Sequence, residues 1–78
     1  MSKLPSISTR EVIKALRAAG FTNAPRRGKG SHYALTRTDP EGRVRLVILP
    51  ERKNIPVGTL VAIIKQAGLT REEFLALL

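Results

Sequence analysis

The chain contains no cysteine. That excludes a disulfide staple and a thiolate zinc site. It holds one histidine and six carboxylates, too sparse a donor set for a metal centre. No metal or cofactor is therefore expected. A second histidine is lacking too, which rules out a paired-histidine acid–base mechanism. No Ser-His-Asp set is evident: Ser31 adjoins His32, so strand alternation turns it to the opposite face, and Asp39 falls in a turn. A serine-type hydrolase is not expected on that ground. No apolar run approaches the roughly 20 residues that span a bilayer, and no charged-then-apolar leader opens the sequence. The expectation is a cytoplasmic protein that does not enter a membrane. Internal repeats and low-complexity segments are absent as well.

What is present is a short basic chain of 78 residues, read as a single domain over residues 1–78. A core of that size is thin, since a chain near 60 residues buries only about 60% of its unfolded surface. A partner that binds the folded state would add stability by mass action. The formal charge is +8, and of 14 basic residues eight lie between Arg26 and Lys53, against three acids there. Such an imbalance points to a polyanion whose phosphates supply most of the affinity. A solvated charged face is the plainer alternative. An anionic membrane is disfavoured, because neither end reads as a basic amphipathic helix with aromatics.

Ser8-Thr9-Arg10-Glu11 is a capping box. Val12, Ile13, Leu16 and Ala19 follow at helical spacing, and Gly20 offers a left-handed end, so a helix is predicted over about residues 9–19. Phe21 to Arg27 reads as a weak edge strand, the only place where Pro25 fits. Ser31 to Thr38 is a second strand. Asp39-Pro40-Glu41-Gly42 carries turn chemistry, and Arg43 to Leu49 is a third strand that Pro50 ends. Within it Val44, Leu46 and Ile48 line one face, taken as the core face, with Arg43, Arg45, Val47 and Leu49 on the other. Glu51 to Asn54 is a charged loop. A second helix begins between Ile55 and Thr59 and closes at Gly68. Thr70-Arg71-Glu72-Glu73 caps a short last helix carrying Phe74. Expected in the core are Val12, Ile13, Leu16, Tyr33, Leu35, Val44, Leu46, Ile48, Leu60, Ile63, Ile64 and Phe74. The fold class is α+β: α-β-β-β-α with a short extra C-terminal helix, on a three-stranded antiparallel sheet. That is the layout of double-stranded-RNA-binding domains.

The richest chemistry lies in Arg26-Arg27-Gly28-Lys29-Gly30-Ser31-His32-Tyr33. Cations there would grip a phosphodiester, and glycines let it approach the backbone. Imidazole, with an ordinary pKa of about 6.5, can give or take a proton near neutrality. These are the parts a small RNA-cutting enzyme needs. If Tyr33 and Leu35 face the helices, His32 faces solvent on a rigid strand. A surface histidine with no task is the alternative. Gly28-Lys29-Gly30 lacks the spacing of a nucleotide-binding loop; it is either an anion-binding nest or an ordinary turn. Gly58-Thr59 could offer N–H groups to phosphate or simply start a helix. Arg52 and Lys53 follow the sheet, on the same rim or as a solvated cluster.

At these residues the chain resembles the HicA family of mRNA-interferase toxins from HicA–HicB toxin–antitoxin systems. Glu11-Val12-Ile13-Lys14-Ala15-Leu16 with Gly20-Phe21 is similar to the family's first helix. Arg27 and Gly30-Ser31-His32 resemble its histidine motif. Leu49-Pro50, Gly58-Thr59-Leu60 and Ile64-Lys65-Gln66-Ala67-Gly68-Leu69 resemble its second signature, and Glu73-Phe74 fits near the end. The resemblance implies a double-stranded-RNA-binding-like fold that cleaves mRNA without a metal. It implies His32 as the catalytic residue and a HicB-type antitoxin of acidic surface covering it. Arg26, Arg27, Lys29, Gly30, Ser31, Arg52 and Lys53 would bind the RNA phosphates. Many members carry a histidine at the position of Arg52, so this chain would rely on His32 and cations. Two other classes compete: a non-catalytic RNA-binding module of the same fold, and an interaction protein whose basic face docks an acidic partner.

Overall fold

The computed structural model describes Leu4, residues 6–24 and residues 32–78. Its elements run α1 (Thr9–Ala18), β1 (Thr22–Asn23), β2 (His32–Thr38), β3 (Val44–Pro50), α2 (Val57–Gln66) and α3 (Arg71–Ala76). The strands form one antiparallel sheet in the order β1-β2-β3. This is the α+β order expected from the sequence.

Local chemistry sets the helix limits. The Ser8 hydroxyl accepts from the Glu11 N–H at 3.3 Å, and the Glu11 carboxylate accepts from the Ser8 N–H at 3.1 Å. Two donors that α1 would otherwise leave bare are thereby satisfied. Gly20 ends the helix at φ +100°, and the Phe21 N–H returns to the Leu16 carbonyl at 3.0 Å. The same box recurs at α3, where Thr70 and Glu73 exchange bonds of 2.7 and 3.1 Å. Helix α2 starts without a side-chain cap, behind Pro56; a proline there has no N–H to leave unpaired.

The β2–β3 hairpin turns on Asp39. Its carboxylate accepts from the N–H groups of Glu41 and Arg43, at 3.1 and 2.9 Å. The Arg43 bond holds the Asp39 carboxyl below the usual carboxylate range, against a smaller opposing effect of burial and with help from the Arg45 guanidinium. Pro50 ends the sheet as expected, as the last residue of β3 rather than the first beyond it, and lies opposite His32. The described part of β1 is shorter than the strand expected over 21–27; Pro25 to Arg27 lie outside the described residues.

The facing of β3 corrects the sequence expectation. Leu35 pairs with Val47 and Tyr33 with Leu49, so these four share the face under the helices. Leu35, Val47 and Leu49 are buried with Val12, Leu16, Phe21, Leu60, Ile63, Ile64 and Phe74 in one cluster. Val44, Leu46 and Ile48, expected in the core, lie on the open face and are exposed. Tyr33, also expected in the core, is 41% exposed on the helix side, and Ile13 is half-buried. The cause is visible in β3 itself. From Leu46 to Leu49 both faces are apolar, so alternation cannot choose between them.

The same register puts Arg45 on the helix side, where its guanidinium donates to the Asp39 carboxylate at 3.4 Å. It stands opposite Arg37, and the two side chains reach Gly20 and Gly68, the residues that close α1 and α2. Helix C-termini carry partial negative charge, which suits a guanidinium. At Gly68 the φ is +73° and an added Cβ would lie 2.9 Å from Arg45 Cζ. Gly68→Ala is therefore expected to cost about 1–2 kcal/mol, from left-handed strain and from displacing Arg45. Urea unfolding should show a lower midpoint at unchanged slope; an unmoved midpoint would contradict the fit.

Candidate nucleic-acid interface

His32 opens β2 and is exposed. On the open sheet face its cross-strand partner is Pro50, and Ala34 and Ile48 form the next pair along that face. The helices cover the opposite side, so nothing in the described core encloses the imidazole. The position combines a rigid strand with solvent access. Of the cations and small residues expected beside it, Arg26, Arg27, Lys29, Gly30 and Ser31 lie outside the described residues.

Arg52 and Lys53 are exposed in the loop after β3. That loop is stitched to the start of α1. The buried Thr9 donates its hydroxyl to the Pro50 carbonyl at 2.6 Å and accepts from the Arg52 N–H at 2.8 Å. The Thr9 N–H in turn donates to the Arg52 carbonyl at 2.9 Å, and the Ile55 N–H to Ile7 at 2.8 Å. Ser6 donates to the Asn54 side chain at 3.0 Å. These bonds fix Arg52 and Lys53 at the end of the sheet where His32 begins β2.

Between α1 and this loop lies a cleft of about 560 Å³, lined by Ser8, Thr9, Arg10, Ile13, Tyr33, Glu51, Arg52 and Lys53. That is within the range of small-molecule sites. The Tyr33 hydroxyl donates to Glu51 at 2.8 Å. Ionising the phenol would break that bond beside a carboxylate, so the Tyr33 pKa is raised; the charge of Arg10 works the other way. The structure thus joins the expected Arg52 and Lys53 to two residues that sequence reasoning did not place in a site, Arg10 and Tyr33. The one available signal was the position of Tyr33 at the very start of β2, where the sheet ends. His32 and Tyr33 are chain neighbours on opposite faces of the sheet end.

Among the described residues no group of three or more His, Cys, Asp or Glu side chains is placed to hold a metal ion. No helix there is long and apolar enough to cross a membrane.

The order α-β-β-β-α with a further short helix, packed as helices on one sheet face, defines a small α+β domain with the layout of double-stranded-RNA-binding domains. The family model for the HicA toxin of bacterial toxin–antitoxin systems matches residues 9–69, and the chain belongs to that family. No curated protein matches it. As the toxin member of such a system, it has a cognate antitoxin as its partner.

Proposed function

We propose that the chain is a metal-independent endoribonuclease that cleaves mRNA and is silenced by a HicB-type antitoxin with an acidic surface. The observation that carries this reading is His32: an exposed imidazole on a rigid strand end, in a toxin-family chain of net charge +8. Cleavage by such a site needs a proton taken from a ribose 2′-OH as its oxygen attacks phosphorus, and a proton given to the departing 5′-oxygen. His32 performs one of these transfers, which general acid–base catalysis makes worth about 10²- to 10⁴-fold. Arg26, Arg27, Lys29, Gly30 and Ser31 before it, and Arg52 and Lys53 after the sheet, hold the phosphate and stabilise its developing charge.

The test is a gel assay of purified protein on a long RNA with chelator present. Fragments are expected, and RNA affinity is expected to fall steeply with salt, by about 0.7 log unit per log unit of salt for each single-strand phosphate neutralised. Intact RNA with salt-dependent binding would make the chain an RNA-binding module of the same fold. Intact RNA with no binding would leave a basic face that docks only a protein.

A further inference from the structure

The cleft between α1 and the loop after β3 has features that RNA cleavage at His32 does not require. Tyr33 is the chain's only tyrosine. Its neighbours on the helix side of the sheet, Leu35 and Leu49, are 1% and 0% exposed, whereas Tyr33 is 41% exposed. A ring of this size left open on the covered side of a sheet is a loss unless something covers it. It is also held in place at both ends, by the β2–β3 ladder at its backbone and by Glu51 at its hydroxyl. Beside it stand three exposed cations, Arg10, Arg52 and Lys53, against one acid, Glu51. Among the described residues none of the three cations is in an ion pair. The acid is engaged by the phenol, and with three cations to one carboxylate the cleft is net positive, with an aromatic wall and the half-buried Ile13 beside it.

We propose that this cleft is a nucleotide subsite: one unpaired nucleotide of the RNA, next to the cleaved bond, stacks its base on Tyr33 and places a phosphate among Arg10, Arg52 and Lys53. The proposal rests on the RNA-cleaving reading and adds to it a second point of attachment across the sheet end from His32. The chemistry favours an unpaired nucleotide. Base-paired RNA shows a protein its backbone and a shallow groove, while splayed bases are taken by aromatic side chains. A concave site of this volume suits one base. Stacking tolerates every base, because each has a π-face. An acidic peptide, the competing occupant, would use the cations but would leave the ring without a matching partner.

The test uses full-length protein carrying His32→Ala, so that the RNA stays intact, and a short single-stranded RNA with 2-aminopurine at one position. In this background Tyr33→Ala is expected to weaken RNA binding about 10-fold or more, the loss of one stacked base, with the salt slope unchanged. Tyr33→Phe keeps the ring and loses only the Glu51 bond, so it should bind within about twofold of its parent by the same stacking argument. Tyr33→Leu keeps apolar bulk without a π-face and should bind like Tyr33→Ala; it decides the matter if the alanine protein does not fold. Quenching of 2-aminopurine on binding should be present with the parent and Tyr33→Phe and absent with Tyr33→Leu. Replacing Arg10, Arg52 and Lys53 together by Ala should flatten the salt slope by about 0.7 for each phosphate no longer neutralised. If folded Tyr33→Ala and Tyr33→Leu bind RNA as their parent does, the subsite is wrong while the RNA reading stands. If they keep RNA affinity but lose an acidic antitoxin, the cleft is a protein-docking groove and the proposal is overturned. If wild-type protein neither binds nor cuts RNA, both readings fall together.

Discussion

His32→Ala is expected to abolish RNA cleavage and growth inhibition while leaving a folded protein that still binds RNA. His32 is the chain's only histidine, the side chain that ordinarily titrates near neutrality. Without it the proton transfer that His32 carries has no positioned group, and the loss should approach the 10²- to 10⁴-fold worth of general acid–base catalysis. The fold should hardly respond, since the side chain is exposed at the first residue of β2 and lies outside the core cluster; surface substitutions of this kind usually stay within about 0.5 kcal/mol. Affinity should persist because cations, not imidazole, hold the phosphates. Gel analysis of a long RNA, with circular dichroism of the same samples, reads all three outcomes. A folded His32→Ala protein that cuts at the wild-type rate would remove His32 from the chemistry and direct attention to Lys29, Ser31 and Arg52.

Two adjacent residues of β3 should behave as opposites. Val47→Asp is expected to unfold the protein, and Ile48→Asp to leave it folded. Val47 is 0% exposed and packs in the core opposite Leu35, whereas Ile48 is 49% exposed on the open face. A carboxylate at 47 would be buried with no partner, which typically costs about 3–5 kcal/mol. At about 0.05–0.15 kcal/mol per residue, a chain of this length holds only some 4–12 kcal/mol of stability, so little would remain. At 48 the carboxylate stays in water, and the cost is limited to β-propensity, at most about 1 kcal/mol. Thermal unfolding of both variants decides it. The reverse outcome would restore the facing in which Val44, Leu46 and Ile48 form the core.

Four helix limits were legible because they are written in adjacent residues: Ser8 with Glu11, Thr70 with Glu73, Gly20 and Gly68 at the closing turns; the start of α2, which has no side-chain cap, was placed only between Ile55 and Thr59. The hairpin was legible for the same reason, Asp39 and Gly42 being turn residues with local bonds. The facing of β3 was not. Its cations at 43 and 45 read as a solvent face, yet Arg45 belongs to the helix side, where it meets the end of α2. Register comes from pairing with β2, and no pattern inside β3 contains it. His32 was legible as an exposed strand residue because alternation with Leu35 fixes its side. The cleft was hidden because its walls come from segments far apart in the chain, joined through Thr9, a residue that reads locally as part of a capping box. Ile7 and Ile55, buried in the core, were missed for a similar reason: they stand outside the helices, where no periodicity marks them.

The Thr9 stitch also bears on when the molecule acquires its cleft. Its bonds to Pro50 and Arg52, and that of Ser6 to Asn54, join positions 41, 43 and 48 residues apart. Closing a loop of that length from a flexible chain costs roughly 3 kcal/mol in entropy, by the logarithmic length law. The bonds at the stitch offset such a cost only when the sheet has already drawn the two segments together. A chain still on the ribosome has no such cleft until residues 50–55 have left the exit tunnel, by which point α1 and all three strands have been synthesised. Arg10 and Arg52 meet only once that stitch has closed. A chain short of it carries its positive charge in a dispersed form, without the concave surface that gathers it beside Tyr33.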